Sequence, residues 1–409
     1  MNRFFVILFF VVTFLFSCNK SDQNNTAQRP FPQEISYKSG YILPDVMSRD
    51  DLNKKVQDYY FAWKTKYIKQ CADGTYYVDF SDENPDVSTV SEAIGYGMVI
   101  TAYMAGADPK AKEIFDGLYR FYIRHPSNIC SSFMAWRQGK DCRNTGFDSA
   151  TDGDEDAAFA LLLADKQWGS NGDINYKQAA LKIINALKIC VFHSQGFPLL
   201  GDWAKGDSTE PVYLDATRSS DWMLDHYLAF YNATGDEFWL DAIDKIISLV
   251  DSIQINYSSN TGLIPDFIIH TSTSPQPAYP NFLESQYDGD LYYNACRTPW
   301  RLTTGQLFLD DDRLVLQIQK INNWIIAKTG NNAQNIMAGY KLDGTPIANY
   351  QDICFTGGFA VAAMISKNQT WLNSCFNALI QPSINDNTYF GNTLRMLYLL
   401  VLSGNYWLP

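Results

Sequence analysis

The stretch SEAIGYGMVITAYMA, residues 91–105, has the pattern of a buried helix. Apolar side chains recur along it near the helical spacing, at Ile94, Met98, Val99, Ala102 and Tyr103. Residues 109–123 follow the turn-like Gly106–Ala107–Asp108 and keep a similar apolar face. Two helices joined by so short a turn predict an antiparallel helical hairpin.

The same pattern continues to the end of the chain. Further helices are predicted at residues 155–168, 173–191, 220–231, 236–253, 310–329, 357–365, 370–380 and 392–402. Most begin at or just after Ser, Asp, Thr or Asn, which cap helix N-termini, and strand signals are sparse. Ten to twelve helices in successive hairpins predict an all-α fold that closes into a double ring. An open helical solenoid is the alternative, but no fixed-period repeat favours it.

The first residues have the pattern of an export signal. Arg3 precedes an apolar run from Phe4 to Phe16, which is too short to span a bilayer comfortably. The run ends in Phe16–Ser17–Cys18, which resembles a bacterial lipoprotein signal. We therefore expect residues 1–17 to be removed, Cys18 to carry a lipid anchor, and the protein to be exported and held on a bacterial membrane. An ordinary secretory signal or an N-terminal anchor is the alternative.

The polar stretch from Asn19 to Gln33 predicts a flexible tether, which we extend over residues 18–44. No Pro/Gly/Ser-rich stretch or charge run divides the rest, so residues 45–409 form one predicted domain. The chain has a net charge of −12 and no basic cluster. Its charge makes nucleic acid a poor partner.

The cysteine and histidine patterns favour no metal site. Seven cysteines remain after Cys18, and among them Cys130 and Cys142 are a possible pair in an exported protein. The chain has no CxxC and no HExxH, and its four histidines are scattered. We expect neither a metal ion nor another cofactor.

Three acidic segments have the residues that acid–base chemistry requires. The first is residues 91–98, in which Glu92 lies at the start of an apolar, glycine-containing helix. Burial beside small and aromatic residues raises the pKa of a carboxyl group, which suits a general acid. The alternative is a helix-start glutamate that interacts only with the helix dipole.

The second segment, ATDGDEDAA at residues 150–158, places four carboxylates in five positions ahead of an apolar helix. Helix capping accounts for one of them. The third, NFLESQYDGD at 281–290, runs into YYNACRTPWR at 292–301 without helical or strand period. The alternative for this third segment is a solvated loop without a functional role. It belongs to one of two long loops, residues 196–207 and 271–293, and long loops are common functional sites.

In this order and at these separations, the three segments resemble glycoside hydrolase family 8. Residues 91–98 resemble its general-acid motif, residues 150–158 its signature, and residues 294–301 its late motif. Ala157 departs mildly from the signature, which prefers Ile or Met there. Residues 339–347 and 404–407 also fit, so the resemblance covers about residues 45–409. It implies an (α/α)6 barrel and inversion at the anomeric carbon.

The resemblance also implies catalytic roles. Glu92 falls on the general acid, and Asp152 on the acidic residue that holds the sugar at the point of cleavage. One branch of the family has its base as an Asp where this chain has Asn294, and Asn cannot accept that proton. A second branch, which includes bacterial chitosanases and lichenan-cleaving glucanases, has Asn there and a Glu in the preceding loop. We therefore expect Glu284 to be the base and Asn294 to help orient it.

Several further residues are expected to contact substrate. Aromatic residues make up 15% of the chain, and their faces stack on sugars, although a large core also uses many. Trp136 and Trp203 are stacking candidates, with core packing an equal alternative, whereas Trp222 fits the core better. The remaining expected contacts are Tyr96, Asp154, Asn294 and Arg297, of which Arg297 is suited to orient a carboxylate.

These observations predict an inverting endo-hydrolase of β-1,4 linkages in glucan, mixed-linkage glucan or chitosan. The acidic cluster Asp154–Glu155–Asp156 and the pair Asp288 and Asp290 are compatible with a cationic chain such as chitosan. A reducing-end exo-xylanase of the same family is an alternative, disfavoured by Asn294. A non-catalytic glycan-binding lipoprotein is another.

Overall fold

A computed structural model describes residues 26–206 and 210–409. Within these ranges twelve helices have ten or more residues, and a thirteenth has four. Their bounds are α1 Arg49–Tyr67, α2 Ser91–Tyr103, α3 Ala111–Arg124, α4 Thr151–Trp168, α5 Tyr176–Cys190, α6 Trp203–Gly206, α7 Leu224–Thr234, α8 Phe238–Asn256, α9 Thr298–Phe308, α10 Val315–Thr329, α11 Ile353–Ala362, α12 Gln369–Ile380 and α13 Tyr389–Leu402.

The twelve long helices form two concentric rings. Helices α2, α4, α7, α9, α11 and α13 contact one another in this order, and α13 contacts α2, so the inner ring closes. Each inner helix packs against an outer partner, which is α1, α3, α5, α8, α10 or α12. Nearly every residue of α2, α4 and α13 is buried, as expected for helices surrounded on all sides. The predicted all-α (α/α)6 barrel is confirmed.

Seven short strands lie in the loops that precede the inner helices. Their bounds are β1 Ile68–Gln70, β2 Tyr76–Val78, β3 Val87–Val90, β4 Arg137–Gly139, β5 Ala216–Arg218, β6 Phe267–Ile269 and β7 Gln276–Pro277. All pairings are antiparallel: β1 with β2, β3 with β4, and β6 between β5 and β7. In the last sheet Arg218 lies opposite Phe267.

Some helix boundaries differ from those predicted. Helix α4 begins at Thr151, so the four carboxylates of its motif belong to the helix rather than precede it. Helix α10 begins at Val315 instead of residue 310, and α11 at Ile353 instead of 357. Helices α1 and α9 were not predicted. In α9, Pro299 occupies the first turn, where proline needs no backbone donor.

Residues 26–44, which we call the strap, are not a flexible tether. Their backbone N–H groups donate to carbonyls just beyond helix C-termini: Phe31 to Ala105 at 2.7 Å, Ile35 to Gly404 at 2.7 Å and Ile42 to Met364 at 3.0 Å. The strap is thereby bonded to the segments that follow α2, α13 and α11. The predicted tether is therefore wrong from residue 26 onward. The predicted signal peptide, Cys18 and residues 19–25 lie outside the described residues.

Two disulfides hold the loop that precedes α4. Cys71 pairs with Cys142, and Cys130 pairs with Cys190. Cys130 and Cys142, which the sequence left as a possible pair, do not bond to each other, because each bonds to a cysteine of a different loop or helix end. In the described part of the chain, three further cysteines are buried and unpaired. No helix among residues 26–206 and 210–409 is long and apolar enough to span a bilayer.

Candidate active site

A cleft of about 1040 Å³ opens where the N-terminal ends of the inner helices meet. The first residues of α2, α4 and α13 line it, as do residues just before α9 and α11. The positive ends of several helix dipoles therefore face this space and favour negative charge within it. The strap lies at the opposite ends of the inner helices.

Close packing of α2 on α4 brings two acidic residues together. A Cβ atom on Gly95 would lie 2.8 Å from Cβ of Asp156, and one on Gly153 would lie 2.5 Å from the Ser91 carbonyl carbon. Neither position has room for a larger residue. The glycines of the two motifs thus set the distance between the helix starts, and Glu92 and Asp152 both line the cleft.

Glu92 is a largely buried carboxyl group, 15% exposed, with two donors. Arg297 Nη1 donates to its Oε2 at 2.7 Å, and the Tyr389 hydroxyl donates to its Oε1 at 3.0 Å. Burial raises the pKa of Glu92 to about 7, although Arg297 and Tyr389 lower it. Asp152 raises it further. Near neutral pH a substantial fraction of Glu92 therefore carries the proton that a general acid needs.

Arg297 connects the two walls of the cleft. Its Nη1 also donates to the Tyr96 hydroxyl at 2.9 Å and to Asp152 Oδ2 at 3.2 Å. Its Nη2 donates to Asn294 Oδ1 at 3.0 Å. The guanidinium thus fixes the acid on α2 relative to Asn294 at the start of α9.

Glu284 lies at the α9 side of the cleft and is held by two donors. Asn294 Nδ2 donates to its Oε2 at 2.8 Å, and Arg218 Nη2 lies 3.3 Å from its Oε1. Its side chain is 46% exposed, so water can reach it. A chain of hydrogen bonds through Arg297 and Asn294 connects Glu92 to Glu284. Both carboxyl groups line the cleft.

Two buried aspartates shape the segment that carries Glu284 and Asn294. Asp288 accepts N–H bonds from Leu283, Glu284 and Ser285 at 2.7–2.9 Å. Asp266 accepts backbone N–H bonds from Tyr292, Asn294 and Ala295 at 2.7–3.1 Å. Burial raises the pKa of Asp266 to about 7, although these N–H donors lower it. Both residues organise backbone and neither lines the cleft.

This geometry has the parts of a glycoside-cleaving site, namely two carboxyl groups that line one cleft, one with a raised pKa and the other accessible to water. A profile of glycosyl hydrolases family 8 matches residues 54–404. The chain belongs to glycosyl hydrolase family 8. It is a glycoside hydrolase, which acts on O-glycosyl bonds, and the predicted family and enzyme class are confirmed.

The family 8 enzyme is similar along almost its whole length to known glucanases. It is 44% identical over 382 residues to a β-glucanase of Niallia circulans, covering 93% of this chain and 91% of the relative. It is 40% identical to an endoglucanase of Bacillus sp. strain KSM-330, covering 93% and 82%. The apo structure of a β-1,3-1,4-glucanase from Paenibacillus sp. X4 superposes with a TM-score of 0.89 at 44% identity, covering 94% of this chain and all of that one.

The exo-acting members of the family are more distant. A reducing end xylose-releasing exo-oligoxylanase of Halalkalibacterium halodurans is 22% identical, covering 80% of this chain and 82% of the relative. This likeness is much weaker than the likeness to the two glucanases.

The structure brings most of the predicted site residues of the family 8 enzyme to one cleft. Those that line it are Glu92, Asp152, Glu284, Asn294, Arg297, Trp136 and Trp203. Trp136 lies beside the acid because its carbonyl accepts the Ser91 N–H at 2.9 Å. Trp222 is fully buried, as predicted for a core residue.

Other predicted contacts are buried in the wall. Asp154 is fully buried and bonds to the Tyr122 hydroxyl and the Met134 N–H, because its position on α4 points it toward α3. Tyr96 is also fully buried and bonds to Arg297 beneath the cleft. Neither lines the cleft, so both were wrongly predicted to contact substrate.

Arg218 and Tyr389 were not predicted, although both touch an acidic residue of the site. They lie 66 and 297 residues from those partners in sequence. Only the ring of helices brings such positions together, and neither residue stands in a pattern that marks it. In residues 26–206 and 210–409, no group of three or more His, Cys, Asp or Glu is arranged to hold a metal ion.

Proposed function

We propose that this enzyme is an endo-acting hydrolase of mixed-linkage β-1,3-1,4-glucan that cleaves β-1,4 linkages with inversion. The observation that carries the proposal is the Glu284 carboxylate, held by Asn294 and Arg218 in the same cleft as Glu92. The similarity to a β-glucanase and to a β-1,3-1,4-glucanase supports the choice of polymer. The long, open cleft suits the interior of a chain.

In the proposed mechanism, Glu92 donates its proton to the glycosidic oxygen as the bond to the anomeric carbon breaks. Glu284 removes a proton from a water molecule that attacks the anomeric carbon from the other face. Attack from the face opposite the leaving group inverts the configuration. Asp152, bonded to Arg297 beside Glu92, holds the sugar at the cleavage point.

The roles of the two glutamates are tested by conservative substitutions. Glu92→Gln and Glu284→Gln each keep the size of the side chain but remove the acid or the base. Each is expected to lower kcat on lichenan by at least about 10²-fold with an unchanged melting temperature. Glu113→Gln, outside the cleft, is the matched control and should keep full activity. Full activity in either site variant would refute its role.

Stereochemistry and substrate are tested separately. Proton NMR of the first product should show the α-anomer, and a β-anomer would refute inversion. Reducing-end release should be fastest on lichenan or barley β-glucan, compared with carboxymethyl cellulose, chitosan and xylan. Chitosan is the weaker candidate, because the similar proteins are glucanases, although Glu83, Asp148 and Asp352 place acidic groups in the cleft. Release of single xylose units from xylo-oligosaccharides would favour the exo-acting alternative.

Release of reducing ends by the wild-type protein distinguishes an enzyme from a glycan-binding lipoprotein. Such a protein would bind oligosaccharides but release no reducing ends over a long incubation. The buried, proton-holding environment of Glu92 and the accessible Glu284 argue for turnover.

We further propose that the protein is exported and anchored by a lipid on Cys18. The Cys71–Cys142 and Cys130–Cys190 disulfides support an oxidising location. The strap begins beside Gln167, at the C-terminal end of α4, so an anchor attached there would leave the cleft facing away from the membrane. Labelled palmitate should be incorporated by the wild-type protein and not by Cys18→Ser. Equal labelling of both would refute the anchor.

A further inference from the structure

Arg218 is a buried cation at the meeting point of three carboxyl groups. It ends β5, and its side chain is only 10% exposed. Its Nη2 lies 3.3 Å from Glu284 Oε1, and its Nη1 lies 3.7 Å from Asp221 Oδ2 and 3.9 Å from Asp152 Oδ2. A guanidinium in this position links the side of the cleft that carries the base to a carboxyl group behind it.

Asp221 is completely buried and does not line the cleft. Ser220 Oγ donates to its Oδ1 at 3.0 Å. Its Oδ2, which faces Arg218, accepts no hydrogen bond from any described residue. A buried carboxylate oxygen without a hydrogen bond is costly. Burial raises the pKa of Asp221 to about 7 although the Arg218 charge lowers it, so the ion pair offsets only part of the cost of burial.

We propose that Arg218 orients the Glu284 carboxylate, and that Asp221 is a positioning residue acting through Arg218. The inference rests on the proposed role of Glu284 as the base. A half-exposed glutamate has several rotamers, and only one aims its carboxylate at the attacking water. Arg218 contacts one oxygen of the Glu284 carboxylate and Asn294 the other, so both oxygens are held.

The fixed position of Arg218 also has an electrostatic consequence. A guanidinium beside a carboxylate favours its charged form, which a base must have before it can accept a proton. Other charges face this group as well. Asp266 lies behind Glu284, while Asp152 and Arg297 lie near Arg218, and Glu155 on α4 lies near Asp221. Among them, Arg218 is the cation that touches Glu284.

The test compares the pH dependence of kcat/KM on lichenan in three variants. Arg218→Met removes both the charge and the donor that hold the Glu284 carboxylate, so the acidic limb should move toward neutral pH and kcat should fall at least about tenfold. Arg218→Lys keeps the positive charge but loses the planar guanidinium with its several N–H donors. The acidic limb should therefore stay in place while kcat falls. Asp221→Asn should lower kcat without moving the acidic limb toward neutral pH.

Additivity shows whether Asp221 acts through Arg218. The double variant Asp221→Asn/Arg218→Met should be no slower than Arg218→Met alone, because Asp221 has no guanidinium left to position. If the fold-decreases in kcat of the two single variants multiply in the double variant, Asp221 does not act through Arg218. KM should stay within about twofold of wild type, since neither change removes a sugar-stacking residue.

Matched controls separate this role from simple damage to the fold. Asp154→Asn removes an equally buried carboxyl group that does not contact Arg218, and it should keep the wild-type pH profile. If it shifts the acidic limb as Arg218→Met does, the effect is not specific and the proposal fails. If Arg218→Met does not fold, Arg218→Lys and Asp221→Asn still decide, because wild-type kcat in both would overturn it.

The outcome is distinguishable from failure of the proposed function. If Glu284→Gln retains activity, the assignment of the base is wrong. If Glu284→Gln is inactive while Asp221→Asn and Arg218→Met match the wild type, only the present inference is wrong.

Discussion

At the residue scale, the state of Glu92 depends on opposing effects. Burial raises its pKa, whereas the Arg297 charge and the Tyr389 hydroxyl stabilise its ionised form. The result, a pKa of about 7, lies near the pH at which the proton must be both held and released. Since the acid works only when protonated, kcat/KM should fall as the pH rises through about 7.

Tyr389→Phe tests this account of Glu92. The variant loses the donor at 3.0 Å that favours the carboxylate, so the pKa of Glu92 should rise. The alkaline limb of kcat/KM should move to higher pH, which a pH–rate profile on lichenan measures. Tyr59→Phe, which removes a hydroxyl bonded to Asn392 outside the cleft, is the control. An alkaline limb that stays in place or moves to lower pH would contradict the prediction.

At the element scale, the segment between β7 and α9 is a loop with its own internal support. Asp288 lies inside it and accepts three successive backbone N–H groups, including that of Glu284. The neighbouring sheet β5–β6–β7 carries Arg218 at its edge. Glu284 and Arg218 are therefore held by this loop and by the sheet beside it.

Asp288→Asn should disturb this loop more than the barrel. An amide nitrogen cannot accept the N–H bonds that one carboxylate oxygen accepts now, and each unsatisfied group costs about 1–3 kcal/mol. We expect kcat to fall about tenfold or more, with a change in melting temperature of only a few degrees as measured by circular dichroism. Asp343→Asn, in an exposed turn on another loop, is the control. Wild-type kcat in Asp288→Asn would show that the loop does not need this support.

At the scale of the whole molecule, the ring of inner helices is open at one end and closed at the other. The N-terminal ends form the cleft, while the strap crosses the C-terminal ends of α2, α4 and α13. Phe31 is buried there, and the Arg29 guanidinium lies 4.1 Å from the Trp407 ring. The strap therefore supports the side of the barrel that carries no chemistry.

Truncation tests the strap. A chain that begins at residue 45 loses the backbone bonds to Ala105, Gly404 and Met364, and its melting temperature should fall by about 5 °C or more. A chain that begins at residue 26 keeps those bonds and should melt like the full-length protein. Differential scanning calorimetry measures both. Equal melting temperatures for the two truncated chains would show that the strap contributes no stability.

The sequence by itself determined the helical hairpins and the motifs. Apolar spacing identified most helices, because a buried helix face repeats every three to four residues whatever lies around it. The motifs at residues 91–98 and 150–158 indicated the acid and Asp152 through their resemblance to those of the family, and their glycines fit the close packing of α2 on α4. The same resemblance implied Glu284 as the base, because this chain has Asn294 where another branch has Asp.

Only the tertiary structure decided which side chains face the cleft. Asp152 and Asp154 are two residues apart on α4, which turns them in different directions, so one lines the cleft and the other bonds to Tyr122. Arg218 and Tyr389 join the site through ring closure, and the two disulfides likewise join distant loops. Composition suggested a tether in residues 26–44, but those polar groups bond to helix ends that no local pattern reveals. Contacts between residues far apart in sequence depend on the closed ring, and local spacing does not encode it.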